Sequence, residues 1–490
     1  MRTKPQGGKK MKLSLLAAEL GLKALPEDKD ITFITDNSAK VCDGSIFVCI
    51  EGKHFDGHTK AAEALENGAA AVVVQKDMGL DRQLLVDDTR AAYTKLCAAF
   101  YSHPEQKLDI IGITGTNGKT TSCFIIHSVL ERLGCKTGMI GTVKNITGDK
   151  EYPASLTTPD PYELFRLFAE MVESGCRCCV MEVSSQALAQ KRVEGVRFKA
   201  AVFTNLTRDH LDYHGTFENY AAAKHLLFEN SDLAVINVDD EAAQYMLSGT
   251  QCRNVTFSAK SDECDYSAKN IRVSAAGVKY ELVSNDNIGR VDFAVPGEFS
   301  VYNSMGAAVC LVEMGYDFRE VLDALSQCGG VPGRMELVKT DTPYSVIIDY
   351  AHTPDGLENV LTSVHEITDG RVICVFGCGG DRDKTKRPIM GEIGSRLADI
   401  AVITSDNPRS EDPQAIIDDI MVGVVKHGAK IIVEPDRTKA IAKALSAAKA
   451  GDVIVLAGKG HETYQILASG KIHYDEREIV AKILSEKTGG

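Results

Sequence analysis

The segment 112–120 limits the fold of this chain more than any other, because it reads as a phosphate-binding loop between a strand and a helix. Its sequence is Gly-Ile-Thr-Gly-Thr-Asn-Gly-Lys-Thr; an apolar run at 108–111 precedes it and a helical pattern at 121–133 follows it. Small residues let backbone N–H groups approach a phosphate, and a helix N-terminus adds positive potential. The segment therefore predicts a nucleotide site.

Within this loop, Lys119 offers a charge for the phosphates and Thr120 a hydroxyl for Mg²⁺. The spacing from Gly115 to Gly118 is two residues shorter than the usual G-x-x-x-x-G-K-[ST] pattern, so we expect a variant P-loop. The alternative is a glycine turn that merely precedes Lys-Thr. The residues expected to hold the nucleotide here are Gly115, Thr116, Asn117, Gly118, Lys119, Thr120 and Thr121.

Length and charge favour an enzyme of several domains that acts on a small metabolite. The chain has 490 residues, more than one hydrophobic core comfortably serves. Its net charge of −13 argues against a general affinity for nucleic acid or anionic membranes, which needs a basic surface. No apolar run approaches the roughly 18 residues of a membrane span, and the basic start lacks the apolar core of a signal peptide. We expect a cytoplasmic protein.

Cysteines give no sign of a metal or disulfide framework. The densest group, Cys176, Cys178 and Cys179, lies in an apolar, strand-like stretch. This setting predicts buried, reduced thiols rather than a disulfide frame or a zinc site.

The pattern of the chain predicts an α/β protein of three domains, at 1–107, 108–333 and 334–490. The first mixes short strands at 46–50 and 70–74 with Ala-rich helical segments. In the second, apolar strands alternate with helical patterns, as in a parallel sheet, and 262–299 alternates like antiparallel strands. The third restarts the alternation with strands at 346–348, 372–376, 400–404, 430–433 and 453–456, each with a helical stretch expected after it.

Polar motifs follow the strands of both α/β segments, where open parallel sheets bind their ligands. In the central segment Glu182 follows the run 178–181, which is where a P-loop protein places the acid that holds Mg²⁺. His210 and His214 are four residues apart but lack an H-E-x-x-H pattern, so we expect one of them near Mg²⁺ or phosphate rather than zinc. The glycines at 377, 379 and 380 resemble a dinucleotide fingerprint, but Arg382 occupies the third glycine position, which disfavours NAD.

Taken together, these motifs resemble the Mur ligase family over almost the whole chain. The segments that carry the resemblance are 114–121, Glu182-Val183-Ser184-Ser185, 204–215, Val331-Pro332-Gly333-Arg334-Met335-Glu336, Asp349-Tyr350-Ala351-His352-Thr353-Pro354-Asp355 and Gly458-Lys459-Gly460-His461-Glu462. Their order and spacing match the branch that adds the third amino acid of the muramyl peptide. Folylpolyglutamate synthetases share the nucleotide core, but the C-terminal motifs look like the muramyl branch.

The resemblance implies an ATP-dependent peptide-bond ligase of peptidoglycan precursor synthesis. Its three domains would be an N-terminal UDP-sugar-binding domain, a central P-loop ATPase domain and a C-terminal Rossmann-like domain that binds the amino acid. Its cofactors would be ATP and Mg²⁺, its substrates UDP-N-acetylmuramoyl-L-Ala-D-Glu and meso-diaminopimelate, and its state a monomer. The implied catalytic residues are Lys119, Glu182, His210 and Lys224, and the implied metal-site residues are Thr120, Glu182, His210 and Lys224. Lys224 matches the lysine that the family carbamylates.

Residue-by-residue correspondence extends the expected site. The adenosine part of ATP is assigned Asn303, Arg334 and Asp349. The UDP-sugar peptide is assigned Ser38, Thr157, Thr158, Ser184, Gln190 and Arg192. Around Ser38 the chain reads Asp-Asn-Ser-Ala where the family often reads Asp-Ser-Arg, so Asn37 and Ala39 are departures.

The segment 405–409 predicts which amino acid is added. meso-Diaminopimelate differs from lysine by a distal carboxylate, and an arginine fork can hold a carboxylate through two charge-assisted hydrogen bonds. The residues assigned to this amino acid are Asp406, Asn407, Pro408, Arg409, Arg382, Gly458 and Glu462. Arg382 is expected to hold its other carboxylate end, and Gly458 and Glu462 are expected near its distal ammonium. An L-lysine-adding ligase of the same family, a folylpolyglutamate-synthetase-like ligase and a P-loop regulator that does not ligate are the alternatives.

Overall fold

The structure is a computed structural model that describes residues 9–23, 25–52, 55–274, 277–425 and 428–488. The chain forms two compact units. The first contains Met1–Gly115 and Leu130–Val255, and the second contains Thr116–Val129 and Thr256–Gly490. In the part of the chain that the structure describes, no helix has both the length and the apolar character needed to cross a membrane.

Strands and helices alternate along most of the chain. The strands are β1 Met11–Lys12, β2 Asp30–Ile31, β3 Phe33–Thr35, β4 Ser45–Val48, β5 Ala71–Val74, β6 Gln83–Leu85, β7 Asp109–Thr114, β8 Thr137–Ile140, β9 Lys144–Thr147, β10 Lys150–Pro153, β11 Cys178–Glu182, β12 Ala200–Phe203, β13 Leu233–Asn237, β14 Arg253–Ser258, β15 Tyr266–Ser274, β16 Gly277–Ser284, β17 Ile288–Phe293, β18 Glu336–Val338, β19 Ser345–Asp349, β20 Val372–Phe376, β21 Ile400–Ile403, β22 Lys430–Val433, β23 Val453–Ala457, β24 Tyr464–Leu467 and β25 Gly470–His473. The α-helices are α1 Leu13–Glu19, α2 Ala61–Glu66, α3 Thr89–Phe100, α4 Lys119–Arg132, α5 Pro161–Glu173, α6 Ser185–Ala189, α7 Leu211–His214, α8 Phe217–Glu229, α9 Ala243–Leu247, α10 Phe299–Glu313, α11 Phe318–Ser326, α12 Pro354–His365, α13 Lys386–Leu397, α14 Pro413–Met421, α15 Arg437–Ala447 and α16 Glu476–Thr488.

In the first unit, strand β7 lies in a parallel sheet, between two strands that lead into other polar motifs. Its strand order is β8-β11-β7-β12-β13, with parallel pairing throughout. The antiparallel strands β9 and β10 extend it beyond β8. A separate parallel sheet, β3-β4-β5-β6, belongs to the N-terminal segment. Because parallel strands end on one edge, the motifs after β7, β11 and β12 share that edge.

In the second unit, β15, β16 and β17 pair antiparallel, as the alternation at 262–299 predicts. The C-terminal sheet has the order β18-β19-β23-β20-β21-β22 and is parallel except for β18. Alternate residues of its central strands enter different hydrophobic clusters: Val346 and Ile348 join one, and Ile347 joins the other. A parallel sheet buried on both faces explains why these strands read as continuous apolar runs.

The predicted α/β class, with a parallel P-loop sheet and a C-terminal α/β sheet, is confirmed. One detail of the prediction is wrong. The strand at 453–456 is followed by the hairpin of β24 and β25 before helix α16, not by a helix directly. Only residues 468 and 469 join β24 to β25, and Gly470 has a positive φ of 123°, which suits a tight hairpin turn. The domain bounds at 107 and 333 stay a prediction.

The cysteine-rich stretch is buried, as predicted. Cys178 and Cys179 lie on β11 with exposures of 1% and 0%, and Cys176, just before the strand, is 6% exposed. Burial raises the pKa of the Cys176 and Cys179 thiols, which favours their protonated form.

Candidate active site

The phosphate loop connects β7 to α4, as the sequence predicts. Strand β7 ends at Thr114 and α4 begins at Lys119. Gly115 has a φ of 148°, and a side chain there would overlap the hydroxyl oxygen of Thr204. Only glycine fits this conformation and this close approach to Thr204 and Asn205. In the loop, Lys119 Nζ donates to the carbonyl oxygen of Thr116 at 2.7 Å.

Two residues assigned to adenosine lie against the first turn of α4, in the second unit. The Arg334 guanidinium donates to Thr120 Oγ1 at 3.4 Å, and Ser122 Oγ donates to Asn303 Oδ1 at 3.5 Å. Thr120 is 4% exposed. Arg334 also lies over the ring of Tyr350, 4.8 Å from its centroid.

Asp349 lies at the end of β19, in the same unit. Its Oδ2 accepts a hydrogen bond from the backbone N–H of Met335 at 2.8 Å. Burial raises the pKa of this carboxyl, and the nearby Arg334 guanidinium opposes the rise. Arg334 Nε is buried with no hydrogen-bond partner among the described residues, so this face of the guanidinium can take one more acceptor.

An aromatic stack adjoins Arg334. The His461 ring lies 4.8 Å from the Tyr350 ring, centroid to centroid. Burial, with the Arg334 and Arg477 charges, lowers the pKa of His461 to about 4, so this imidazole is neutral near pH 7. Burial raises the pKa of Tyr350 to about 12. The stack therefore offers uncharged ring faces beside a permanent cation.

Glu182 ends β11 and is almost fully buried, with 1% exposure. Its Oε1 accepts from the backbone N–H of Thr142 at 2.8 Å, and its Oε2 accepts from the Thr142 hydroxyl at 3.1 Å. These two bonds hold the carboxylate in a fixed orientation. Sequence reasoning did not find Thr142, because nothing in its local sequence marks it as the partner of a residue forty positions away.

Lys224 and His210 both lie near one buried tyrosine, Tyr220, in the first unit. Lys224, on α8, is 1% exposed, and its Nζ lies 4.7 Å from the ring centroid of Tyr220. The same Nζ donates to the carbonyl oxygen of Gly115 at 2.7 Å. The His210 ring lies 6.1 Å from the Tyr220 ring, and His210 has a left-handed φ of 53°. A non-glycine residue held there often marks a functional position.

His214 contacts Ser185, which distinguishes its position from that of His210. Its Nε2 lies 2.9 Å from the hydroxyl oxygen of Ser185, at the start of α6. Of the two histidines four residues apart, the structure therefore anchors His214 to helix α6 and leaves His210 46% exposed.

The residues assigned to the UDP-sugar peptide form one hydrogen-bonded group beside Glu182. Thr158 Oγ1 donates to the Glu182 carbonyl oxygen at 2.9 Å and accepts from the Ser184 N–H at 3.0 Å. Arg192 donates to the Thr158 carbonyl oxygen at 2.8 Å and to Gln190 Oε1 at 2.7 Å. Thr157 joins through the hydroxyl of Thr142, 3.0 Å from its own. The structure therefore brings together residues up to 35 positions apart in sequence.

Ser38 begins a short 3₁₀ helix, Ser38–Lys40, in the first unit. The side chain of Asn37 caps this helix by accepting from the N–H of Ala39 at 3.0 Å. The departure from the family pattern at Asn37 is therefore a capping residue. Burial and the nearby Asp160 carboxylate raise the pKa of Asp36, and Arg192 acts on it in the opposite direction. This electrostatic influence places the Ser38 segment near Arg192.

In the C-terminal sheet, the two motifs that follow β21 and β23 are bonded to each other. Asn407 Nδ2 donates to Glu462 Oε2 at 2.9 Å. Gly458 has a φ of 116°, and a side chain there would overlap the Asp406 carboxylate. The Asp406 carbonyl oxygen accepts from Gln465 Nε2 at 2.7 Å. The predicted residues Asp406, Asn407, Gly458 and Glu462 thus form one cluster.

Arg409 and Arg382 both lie close to Gly379. A Cβ at Gly379 would lie 2.8 Å from Arg409 Nη1 and 3.8 Å from Arg382 Cγ. Arg409 Nη1 donates to the Gly380 carbonyl oxygen at 2.8 Å, and Arg382 donates to the carbonyl oxygen of Asp381 at 3.0 Å. Arg409 follows Pro408 with a left-handed φ of 53°. The arrangement concentrates positive charge at the Gly-rich turn after β20.

Three family models match the chain in order. The description "Mur ligase family, catalytic domain" matches residues 30–103, "Mur ligase middle domain" matches 113–311, and "Mur ligase, glutamate ligase domain" matches 333–460.

Curated proteins and solved structures give the same relationship. A protein of Clostridium botulinum named UDP-N-acetylmuramoyl-L-alanyl-D-glutamate--2,6-diaminopimelate ligase is 45% identical over 97% of this chain and 100% of its own length. A Clostridium perfringens protein of the same name is 47% identical over 94% of this chain and 96% of its own. A solved structure titled with this name aligns with a TM-score of 0.70 at 32% identity, covering 98% of this chain and 100% of its own.

Proposed function

Because the chain belongs to the Mur ligase family, we propose that it is the ligase that adds meso-diaminopimelate to UDP-N-acetylmuramoyl-L-Ala-D-Glu at the expense of ATP. The observation that carries this function is the full-length similarity to ligases of that name, at 45% and 47% identity. The cluster of Asp406, Asn407, Arg409 and Glu462 supports the choice of amino acid.

The reaction needs an activated carboxylate, because a free carboxylate is a poor electrophile. The D-Glu carboxylate oxygen attacks the γ-phosphorus of ATP, the bond to the β-phosphate oxygen breaks, and an acyl phosphate and ADP form. The unprotonated amine of diaminopimelate then attacks the acyl carbon, and inorganic phosphate leaves as the amide bond forms. The amine proton passes to solvent or to the departing phosphate.

Lys119 and the loop N–H groups stabilise the negative charge on the transferring phosphoryl group in this proposal. The loop leads directly into α4, which begins at Lys119, and a helix N-terminus is a favourable place for phosphate. Negative charge on the transferring phosphoryl group dominates the barrier, so a fixed ammonium at Lys119 lowers it. The uncharged stack of Tyr350 and His461 beside Arg334 is consistent with an adenosine site.

The donor set of the site fits Mg²⁺, which we propose is held by Thr120, Glu182, His210 and Lys224. Glu182 is a buried carboxylate at the end of β11, and carboxylate oxygens suit a hard cation. Mg²⁺ when bound would neutralise charge on the phosphates.

Lys224 suits the modification that the family resemblance implies. A carbamate keeps one N–H, so the hydrogen bond to the Gly115 carbonyl oxygen at 2.7 Å survives while the charge changes from positive to negative. An anion with two oxygens stabilises a neighbouring Mg²⁺, whereas an ammonium repels it.

We propose three domains at 1–107, 108–333 and 334–490. The family models support this division: the matches at 30–103 and 113–311 lie inside the first two proposed domains, and the match at 333–460 begins one residue before the third. We also propose a monomeric, cytoplasmic enzyme. The net charge of −13 and the soluble nature of its proposed substrates support this location.

The test of the proposed function compares kcat/KM for meso-diaminopimelate and L-lysine in the parent and in Arg409→Ala. We expect the parent to prefer diaminopimelate by roughly 10⁴-fold, because lysine would leave the guanidinium unpaired in a closed site. Arg409→Ala should lose about 100-fold of this preference, since two hydrogen bonds to a charged group disappear.

The matched control is Arg396→Ala. Arg396 lies on α13 and pairs with Glu392 and Glu358 at an exposed site, so the preference should not change. A parent that prefers L-lysine identifies the lysine-adding alternative. ATP turnover that proceeds unchanged without either acceptor identifies the non-ligating regulator. Ligation of glutamate to a folate identifies the folylpolyglutamate-synthetase alternative.

A further inference from the structure

Lys459 is a buried cation between two residues of the proposed amino-acid site, and the proposed reaction gives it no role. Its side chain has 0% exposure. Its Nζ lies 3.0 Å from Glu462 Oε2 and donates to Asn407 Oδ1 at 3.1 Å. The rings of Tyr464 and Tyr474 each lie 5.9 Å from it, centroid to Nζ. The polar atoms of Glu462 and Asn407 take the place of water around this buried side chain.

The hydrogen bonds of Asn407 fix which oxygen of Glu462 is used. Asn407 Oδ1 accepts from both Lys459 Nζ and the backbone N–H of Ile466, the latter at 2.9 Å. Its Nδ2 must therefore point to Glu462 Oε2, to which it donates at 2.9 Å. Two donors thus converge on Oε2, while Oε1 meets only a long contact, 3.4 Å from the Tyr464 hydroxyl.

The backbone explains why Lys459 points inward. Gly458, directly before it, has a φ of 116°, a conformation that a residue with a side chain adopts only under strain. After this bend the Lys459 side chain has 0% exposure, while the Glu462 side chain keeps 11%. Glu462 is therefore the more accessible member of the pair.

We propose that Lys459 is a positioning residue, which holds Glu462 through Oε2 and so keeps Oε1 turned toward the distal ammonium of the incoming amino acid. The inference rests on the proposed function, in which Glu462 lies at that ammonium. Without Lys459, Glu462 loses its ion-pair partner and one of the two donors on Oε2. The carboxylate then rotates out of this orientation, which weakens its bond to the substrate ammonium.

The experiment measures KM for diaminopimelate, for ATP and for the UDP-muramyl dipeptide in Lys459→Met. We expect KM for diaminopimelate to rise at least about tenfold, the loss of one charge-assisted hydrogen bond, while the other two KM values change less than about twofold. Lys471→Met is the matched control. Lys471 lies over the outer face of the same Tyr464 ring, 3.4 Å from its centroid, and is exposed, so its removal should leave all three KM values unchanged.

A double-mutant cycle with Glu462→Gln separates positioning from direct contact. If Lys459 acts through Glu462, adding Lys459→Met to Glu462→Gln should change KM for diaminopimelate by less than about twofold. This comparison also holds if Lys459→Met alone folds poorly, because the double variant leaves no unpaired buried charge.

Three results would overturn the inference: an unchanged KM for diaminopimelate in folded Lys459→Met, equal rises in all three KM values, or a further large rise in the double variant. A parent that accepts L-lysine instead would overturn the proposed function alone. The same comparison with L-lysine would still decide the role of Lys459, because L-lysine also carries a distal ammonium.

Discussion

At the scale of single residues, Lys224 carries the sharpest chemical prediction. Its amine is 1% exposed and donates to the Gly115 carbonyl oxygen at 2.7 Å, a setting in which a carbamate keeps the hydrogen bond and supplies an anion. Protein equilibrated with ¹³C-labelled bicarbonate should show one carbamate carbon resonance, and Lys224→Met should lack it. The variant should also lose about 100-fold or more of its ligation rate, because a ligand of the metal site disappears.

A control for this prediction is Lys199→Met, since Lys199 is exposed and near Asp232 at 3.8 Å. It should keep both the resonance and the rate. A parent enzyme that ligates at full rate with no carbamate signal would refute the modification.

Residue chemistry could be predicted from the sequence where a motif is local, and not where it depends on distant contacts. Lys119 and Thr120 are adjacent, and their loop predicts its own role. Thr142 was not found, because the fold alone brings it to Glu182, forty positions away. Tyr220 and Lys459 lie only four and three residues from Lys224 and Glu462, but no pattern at those spacings marks a tyrosine or a lysine as the partner of a site residue. The Gly-Lys-Gly stretch at 458–460 was the one available signal for Lys459.

At the scale of elements, a buried ion pair ties together the strand ends that carry the amino-acid site. Arg437, at the start of α15, donates from Nε to Glu476 Oε1 at 2.8 Å, with exposures of 0% and 1%. Its other nitrogens donate to the carbonyl oxygens of Ala457 at 2.8 Å and Ser405 at 3.4 Å. Ala457 is the last residue of β23, and Ser405 lies just after β21. The Arg437 guanidinium therefore holds both strand ends in place.

We expect Glu476→Gln to destabilise this sheet by about 3–5 kcal/mol, because it leaves the Arg437 charge buried without a counter-ion. The measurement is the midpoint of urea unfolding, followed by circular dichroism. Glu478→Gln is the control on the same helix; Glu478 is 66% exposed beside His473, and its loss should change stability by less than about 0.5 kcal/mol. An unchanged midpoint for Glu476→Gln would show that the pair contributes nothing to the stability of the strand ends.

Most elements could be predicted because their apolar runs are long enough to show a period. The strands at 372–376 and 430–433 match the predicted bounds. The hairpin of β24 and β25 was missed because its residues 470–473 are all exposed, so no buried face imposes a strong alternation. Exposed edge structure leaves a weak pattern in the sequence.

At the scale of the whole molecule, the order of motifs along the chain could be read directly, but not their order in space. In the sheet, β7 lies between β11 and β12, so the strand of the phosphate loop is flanked by the strand that ends at Glu182 and the strand that precedes Thr204. Chain order alone would place β8 beside β7. Strand pairing between distant segments depends on the packing of helices on both faces, which no local pattern encodes.

Nucleotide binding should stabilise the folded chain, and Lys119 should separate that effect from folding itself. A ligand at 100 times its Kd adds about 2.7 kcal/mol to the free energy of unfolding, so MgATP should raise the melting temperature of the parent. Lys119→Ala removes a local bond to the Thr116 carbonyl oxygen, so without nucleotide its melting temperature should match the parent. With MgATP the rise and the ligation should both be lost, whereas the control Lys136→Ala, an exposed lysine near Asp149, should keep both. If Lys119→Ala shows the full rise in melting temperature with MgATP and near-normal turnover, the proposed role of Lys119 at the phosphates is wrong. Removal of a charge that acts on the transferring phosphoryl group should lower both quantities.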